Sequence, residues 1–271
     1  MGRKRDFILY HLFLSWLCFL AMIRFLFFFW KFQDTRKLLK KCCLSLLDFY
    51  ASGRSSLNDF RTSRFYKKRE SRLCWAEVSA LNPTWGNVRP EEACILATLV
   101  SESAPKTIFE FGTLNGYSTV HLARNAPHGA RVYTLDLPLD YRIMSPGQLT
   151  SHQAYDDIKA IDKAREIKTG ALFSVPGYEN VVQLYGDSMT FELSEYYGKI
   201  DFCFIDACHS YAYVRKDTEN AFKMVSPEGV IVWHDFNPEH HDVFRLLNEI
   251  AAERKLFRIE DTSLAVYFNN E

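Results

Sequence analysis

The 271-residue chain predicts an α/β fold organised on a doubly wound, largely parallel sheet. Three observations carry that expectation. Residues 107–122, T-I-F-E-F-G-T-L-N-G-Y-S-T-V-H-L, read as strand, glycine turn and helix in direct succession. Further apolar runs follow, and they end in acids at Asp136, Asp187, Asp206 and Asp235. A hydrophobic share of 48% is enough to fill the core that such a sheet needs.

The elements can be justified in order. Arg89-Pro90-Glu91-Glu92 starts a helix, with proline at an early position and acids in the first turn. Its apolar positions Ala93, Leu96, Ala97 and Val100 share one side. The first strand opens on Thr107-Ile108-Phe109, β-branched and aromatic. The chain then turns through Gly112 and Gly116 into a helix with Val120, Leu122 and Ala123 apolar. Such a junction aims backbone N–H groups and a helix dipole at a ligand. Glu110, at the strand tip, would repel a phosphate and suits a ligand bearing a positive amino group. A tight strand-to-helix turn also uses glycine for folding alone, so G-x-x-x-G by itself decides nothing.

Residues 130–138 form a second strand ending in Asp136, 20 residues after Gly116. In doubly wound folds an acid at this place accepts hydrogen bonds from ribose hydroxyls. Residues 181–187 read as a third strand, 200–207 as a nearly continuous apolar fourth, and 229–236 as a fifth. Glu110, Asp136, Asp206 and Asp235 then line the edge where open α/β sheets bind ligands. Residues 256–260 and 264–269 close the chain as a hairpin joined through Asp261-Thr262-Ser263. Between the second and third strands, 139–179 is long for one crossover; a lid over the ligand edge and a disordered segment are both open.

The motifs E-F-G-T-L-N-G-Y-S at 110–118, Asp136, G-D-S at 186–188, F-I-D-A-C-H-S-Y at 204–211 and P-E-G-V-I-V-W-H-D-F at 227–236 resemble the class I S-adenosylmethionine-dependent methyltransferases. They are most similar to small-molecule O-methyltransferases of the catechol O-methyltransferase type and their bacterial relatives, over about residues 88–268. The resemblance implies a Rossmann-like seven-stranded sheet with the last strand antiparallel. It implies S-adenosyl-L-methionine as cofactor, with the methionine moiety near Glu110, Gly112, Gly116, Tyr117 and Ser118. Ribose contacts fall on Asp136 and adenine contacts near Gly186, Asp187 and Ser188, with Asp206 also in the cofactor site. Catechol-type enzymes place a lysine base three residues after the strand-four aspartate; here that position is His209. A histidine titrates near about 6.5, which suits a base at neutral pH, and a structural hydrogen-bonding role is the alternative. His209 and Asp206 are therefore the catalytic candidates. The same enzymes hold a divalent cation such as Mg2+ through acids that correspond to Asp206 and Asp235. Their third ligand, an asparagine, falls on Phe236, which cannot coordinate; His234, His209 or Asn237 would have to substitute. Leu114 replaces the middle glycine of many methyltransferases, although catechol-type sequences are bulky there too.

The zero net charge hides an asymmetry: 1–30 carries +3, 31–72 carries +8, and the remainder carries −11. An acidic body speaks against nucleic acid as the main partner, and a small-molecule acceptor is what the resemblance implies. Residues 8–30 are almost wholly apolar, and 23 residues would span about 30 Å of hydrocarbon. The expectation is a membrane-anchor helix over 1–30, a basic linker over 31–80 and a methyltransferase domain over 81–271, single-pass with the domain cytoplasmic. A cleaved signal peptide and an interfacial helix are the rivals. The seven cysteines show no metal-ligand spacing and read as reduced thiols; Cys42-Cys43 is open to palmitoylation or is part of an ordinary helix face. Two other functional classes compete. One is a membrane-tethered, non-catalytic donor-binding adaptor. The other is a nicotinamide oxidoreductase, disfavoured by Glu110 and the lack of G-x-G-x-x-G.

Overall fold

A computed structural model describes residues 76–77, 81–138, 140, 162, 166 and 168–269. Helix α1, Pro90–Ser103, starts where proline and the two acids place it. The Arg89 backbone N–H donates to Glu92 Oε2 at 3.0 Å, which satisfies one of the first-turn donors. Strand β1, Thr107–Phe111, runs into helix α2, Tyr117–Asn125, and strand β2, Arg131–Asp136, follows. Next come β3 (Val181–Tyr185), β4 (Ile200–Ile205), α3 (Tyr211–Met224), β5 (Val225–Trp233) and α4 (His241–Ala251). The hairpin strands β6, Phe257–Arg258, and β7, Ala265–Phe268, end the chain.

The sheet order is β3-β2-β1-β4-β5-β7-β6. The five strands from β3 to β5 pair in parallel, and β7 is antiparallel to both β5 and β6. The expected seven strands and antiparallel last strand are therefore present. Phe109, Phe111, Phe202, Phe204 and Trp233 are fully buried, consistent with a sheet covered on both faces. Trp233 keeps its indole N–H satisfied by donating to Thr218 Oγ1 at 2.9 Å. The chain leaves β1 toward β2 on one side, while β4 lies on the other. This reversal opens a crevice at the C-terminal ends of β1 and β4.

The single-pass placement is corrected. No helix among the described residues is long and apolar enough to cross a membrane. The longest of them, α1 and α3, have 14 residues each, about 21 Å of helix against about 30 Å of hydrocarbon. The stretch read as an anchor, 8–30, the basic segment 31–72 and Cys42-Cys43 lie outside the described residues, as does most of 139–167.

Candidate active site

The site is built from four junctions at the C-terminal edge of the sheet. The first is the loop after β1. Gly112 has φ 91°, and a Cβ there would lie 2.0 Å from the Asp206 carbonyl oxygen. Only glycine lets β1 and β4 close up at this point. Gly116 has φ 89° and packs under the Phe173 ring, leaving no room for a side chain. Leu114 keeps a left-handed φ of 48°, so the missing middle glycine has left the loop shape unchanged at some cost in strain.

The loop amides are less free than the sequence suggests. Thr113 and Leu114 donate to Asp136 Oδ2 at 2.9 and 2.7 Å, and Leu137 donates to Oδ1 at 2.7 Å. Asp136 thus holds the loop in place. A carboxylate offers about four acceptor positions, so one remains for a ligand hydroxyl. Burial pushes its pKa up, while the three backbone donors act against that.

Glu110 also differs from expectation. It has no exposed surface, and its carboxylate accepts from the hydroxyls of Ser118, Thr119 and Thr134 rather than meeting a ligand's amino group. Burial raises its pKa to about 7 despite these donors. Its role is to lock β1, β2 and the first turn of α2 together. Tyr117 is buried, and its backbone N–H donates to Asn115 Oδ1. Asp187, just after β3, accepts from the Met189 N–H at 3.0 Å and from the Tyr213 hydroxyl at 3.1 Å, tying its turn to α3.

The remaining candidates converge after β4 and β5. His234 is the hub. Its Nδ1 lies 3.0 Å from Asp206 Oδ1 and 3.3 Å from Asp235 Oδ2, and its Nε2 lies 3.1 Å from Glu92 Oε2. Burial disfavours the imidazolium, but the charges of Asp206 and Asp235 outweigh that and raise its pKa well above the ordinary value. Asp235 has φ 60°, a left-handed conformation that turns its carboxylate back over the site. Burial would raise its pKa, yet the His234 charge and His209 hold it well below the usual range. His209 Nε2 lies 2.8 Å from Asp235 Oδ2, and His240 Nε2 lies 3.2 Å from Oδ1. The His209 and His240 rings sit side by side, 4.8 Å between centroids.

Two of these residues escaped the sequence. Glu92 was visible only as a first-turn acid of α1, yet it is fully buried under His234. Arg89 pairs with it at 2.9 Å, and both the N–H and the hydroxyl of Ser263 donate to it at 2.8 Å. Burial would raise its pKa; the hydrogen bonds from His234 and Arg89 prevail and drive it far below the carboxylate range. His240, five residues beyond Asp235, carried no signal except its place in an H-H-D run.

The acids expected to hold a divalent cation, Asp206 and Asp235, bring ligand atoms within 4.8 Å of one another together with His234, a set that mixes oxygen and nitrogen donors. Magnesium asks for oxygen ligands in an octahedron. The gap between the two carboxylates is instead faced by an imidazole nitrogen, and Phe236, the neighbour of Asp235, is buried and brings no donor.

Comparison with known proteins agrees with this geometry. The family described as a methyltransferase domain matches residues 109–236, from β1 through the His234–Asp235 turn. Residues 109–236 of the chain therefore carry a methyltransferase domain. Catechol O-methyltransferase B of Danio rerio is 39% identical over 80 residues, which span 30% of this chain and 30% of that protein. Among solved structures, the O-methyltransferase TomG from Streptomyces achromogenes in complex with SAM is similar at 16% identity and TM-score 0.46. An O-methyltransferase from Bacillus cereus in complex with SAH is similar at 23% identity and TM-score 0.43. Each alignment covers 68% of this chain and 82% of the other. The methyltransferase domain so defined has its glycine loop, acids and histidines on one edge of one sheet.

Proposed function

We propose that this domain transfers the methyl group of S-adenosylmethionine to a hydroxyl of a small molecule, and that residues 81–271 form the catalytic unit. The observation that carries the reading is His209 held against Asp235, beside the strand whose tip meets the glycine loop. The donor's ribose would use the free acceptor position of Asp136, and its methionine end would lie along 112–118. Adenine would lie toward Asp187.

The acceptor oxygen attacks the methyl carbon as the carbon–sulfur bond breaks. The bonding pair stays on sulfur, which leaves as a neutral thioether, and the hydroxyl proton goes to a base. His209, with Nε2 2.8 Å from Asp235 Oδ2, is placed to take that proton through the lone pair of its neutral imidazole. Asp206 and Asp235, held by His234, fix the floor on which the acceptor is aligned, and alignment itself supplies much of the rate.

Calorimetry with S-adenosylmethionine, followed by a methyl-transfer assay over catechols, phenols and sugars, tests this reading. Asp136→Ala should weaken donor binding by about 1.5–3 kcal/mol, the range for a hydrogen bond to a charged group. His209→Ala should bind donor normally and transfer roughly 10²–10⁴ times more slowly. Donor binding with no transfer to any acceptor would favour the non-catalytic adaptor. No donor binding at all would overturn the proposal.

A further inference from the structure

His209, Asp235 and His240 bring two imidazoles and one carboxylate to a single point, and their ligand atoms all lie within 4.8 Å of one another. We propose that these three side chains form a site for a first-row transition cation such as Zn2+, and that filling it switches the enzyme off by removing the base. The inference rests on the proposed role of His209 in proton transfer.

The donor spacing supports coordination. Zinc binds imidazole nitrogen at about 2.0–2.1 Å and carboxylate oxygen at about 2.0–2.2 Å, in near-tetrahedral geometry. Two such ligands at angles between about 90° and 110° stand about 3.0–3.4 Å apart by simple trigonometry on those bond lengths. The observed separations, 2.8 Å from His209 Nε2 to Asp235 Oδ2 and 3.2 Å from His240 Nε2 to Asp235 Oδ1, need only small adjustments to match. Each histidine faces a different oxygen of the one carboxylate, so a cation among them would draw on all three residues.

The elements that present them are fixed by other contacts. Asp235 is turned into place by its left-handed φ. His240 caps the start of α4, and its N–H donates to both the backbone and side-chain oxygens of Asn237. His209 lies just ahead of α3, whose first residue, Tyr211, donates its N–H to Asp242 at 3.0 Å. The α3 and α4 starts are therefore tied to each other. Ligand type decides the metal. Two imidazoles and one carboxylate select zinc, cobalt, iron or copper over magnesium and calcium, which prefer all-oxygen shells.

Occupancy and catalysis exclude each other for a structural reason. A neutral imidazole has one lone pair. As the base, His209 must offer that lone pair to the acceptor's proton. A cation bound to Nε2 takes the lone pair there and forces the hydrogen onto Nδ1, which can then accept nothing.

The test uses the full chain, stripped with chelator and dialysed, and titrated with Zn2+, with Co2+ as a visible-absorption probe, and with Mg2+ in parallel. One zinc per chain should be lost in His240→Gln and in His209→Gln, whereas zinc held elsewhere on the chain survives in both. Bound Co2+ should show a ligand-field band that is missing from the same two variants, and Mg2+ should not compete. Zinc should suppress methyl transfer without changing donor affinity, and whatever activity His240→Gln retains should be insensitive to zinc. Equal zinc stoichiometry in parent and variants overturns the site. Full activity of the zinc-loaded parent overturns the switch. Absence of transfer in metal-free protein would instead refute the proposed function, and the binding result would stand independently of it.

Discussion

Asp217 on α3 has no exposed surface, and neither of its carboxylate oxygens receives a well-aligned hydrogen bond. Burial raises its pKa to about 7; the nearby Ser188 hydroxyl opposes the shift, and Asp187 adds to it. The perturbation proposed is Asp217→Asn, which keeps the shape and removes the ionisation. From an ordinary 3.8 to about 7 is roughly three pH units, and at 1.36 kcal/mol per unit the ionised group would cost the folded state up to about 4 kcal/mol. An acid whose folded pKa is raised binds more protons in the native state than in the unfolded one between those two values. Stability from this group is therefore complete below about pH 4 and is lost as pH rises to about 7, with little further change above. Asp217→Asn abolishes that loss. Urea unfolding of parent and variant at pH 5 and pH 8, with midpoints and slopes fitted separately, isolates the effect. Any cost of burying the new amide is equal at both pH values and cancels in the difference. About two of those three units lie between pH 5 and pH 8, so the variant should gain roughly 1.5–3 kcal/mol relative to the parent over that interval. A difference within error of zero would refute the placement of a lone buried carboxylate under α3.

Two further outcomes follow from contacts described above. Gly112→Ala should destabilise the domain well beyond the roughly 1–2 kcal/mol that a left-handed alanine costs, because its Cβ meets the Asp206 carbonyl; donor affinity should fall with it. Gly129→Ala is the matched control, since its φ is 85° and nothing lies within 4 Å of the added atom; equal melting-temperature losses in the two variants would remove the close approach of β1 and β4. Glu92→Gln should destabilise the domain by removing one of the three carboxylates that hold His234 and the partner of the half-exposed Arg89, by about 1–3 kcal/mol for hydrogen bonds to charged groups, since Asp206 and Asp235 remain on His234. A double-mutant cycle with His234→Gln, read by chemical denaturation, should show non-additivity of at least about 0.5 kcal/mol, and strict additivity would deny the contact.

How much of this was legible beforehand depends on the distance over which each feature is determined. Strand–turn–helix at 107–122 is a local matter: β-branched and aromatic residues, two glycines with positive φ and an amphipathic run follow one another, and the structure has β1, the turn and α2 in that order. Acids at strand ends were readable because a parallel sheet places successive C-terminal ends along one edge, so linear order becomes spatial order. Asp206 and Asp235 were named on that basis and His209 and His234 through the family resemblance, and the four do meet.

The sequence by itself thus determined the strands, their direction, the final hairpin and the neighbourhood of the site. The tertiary structure alone decided what each charged group faces. Glu110 was read as facing a ligand, but three hydroxyls from two other elements enclose it. Asp136 was read as a ribose acceptor and first of all holds the glycine loop. Glu92, 142 positions before His234, reaches it only because α1 packs across the strand ends, and no local pattern encodes that pairing. Hydrophobic periodicity and turn chemistry act over a few residues and survive in the linear sequence. Partners of buried charges are set by which elements the sheet order brings together, and the cost of leaving a charge unpaired then selects the contact.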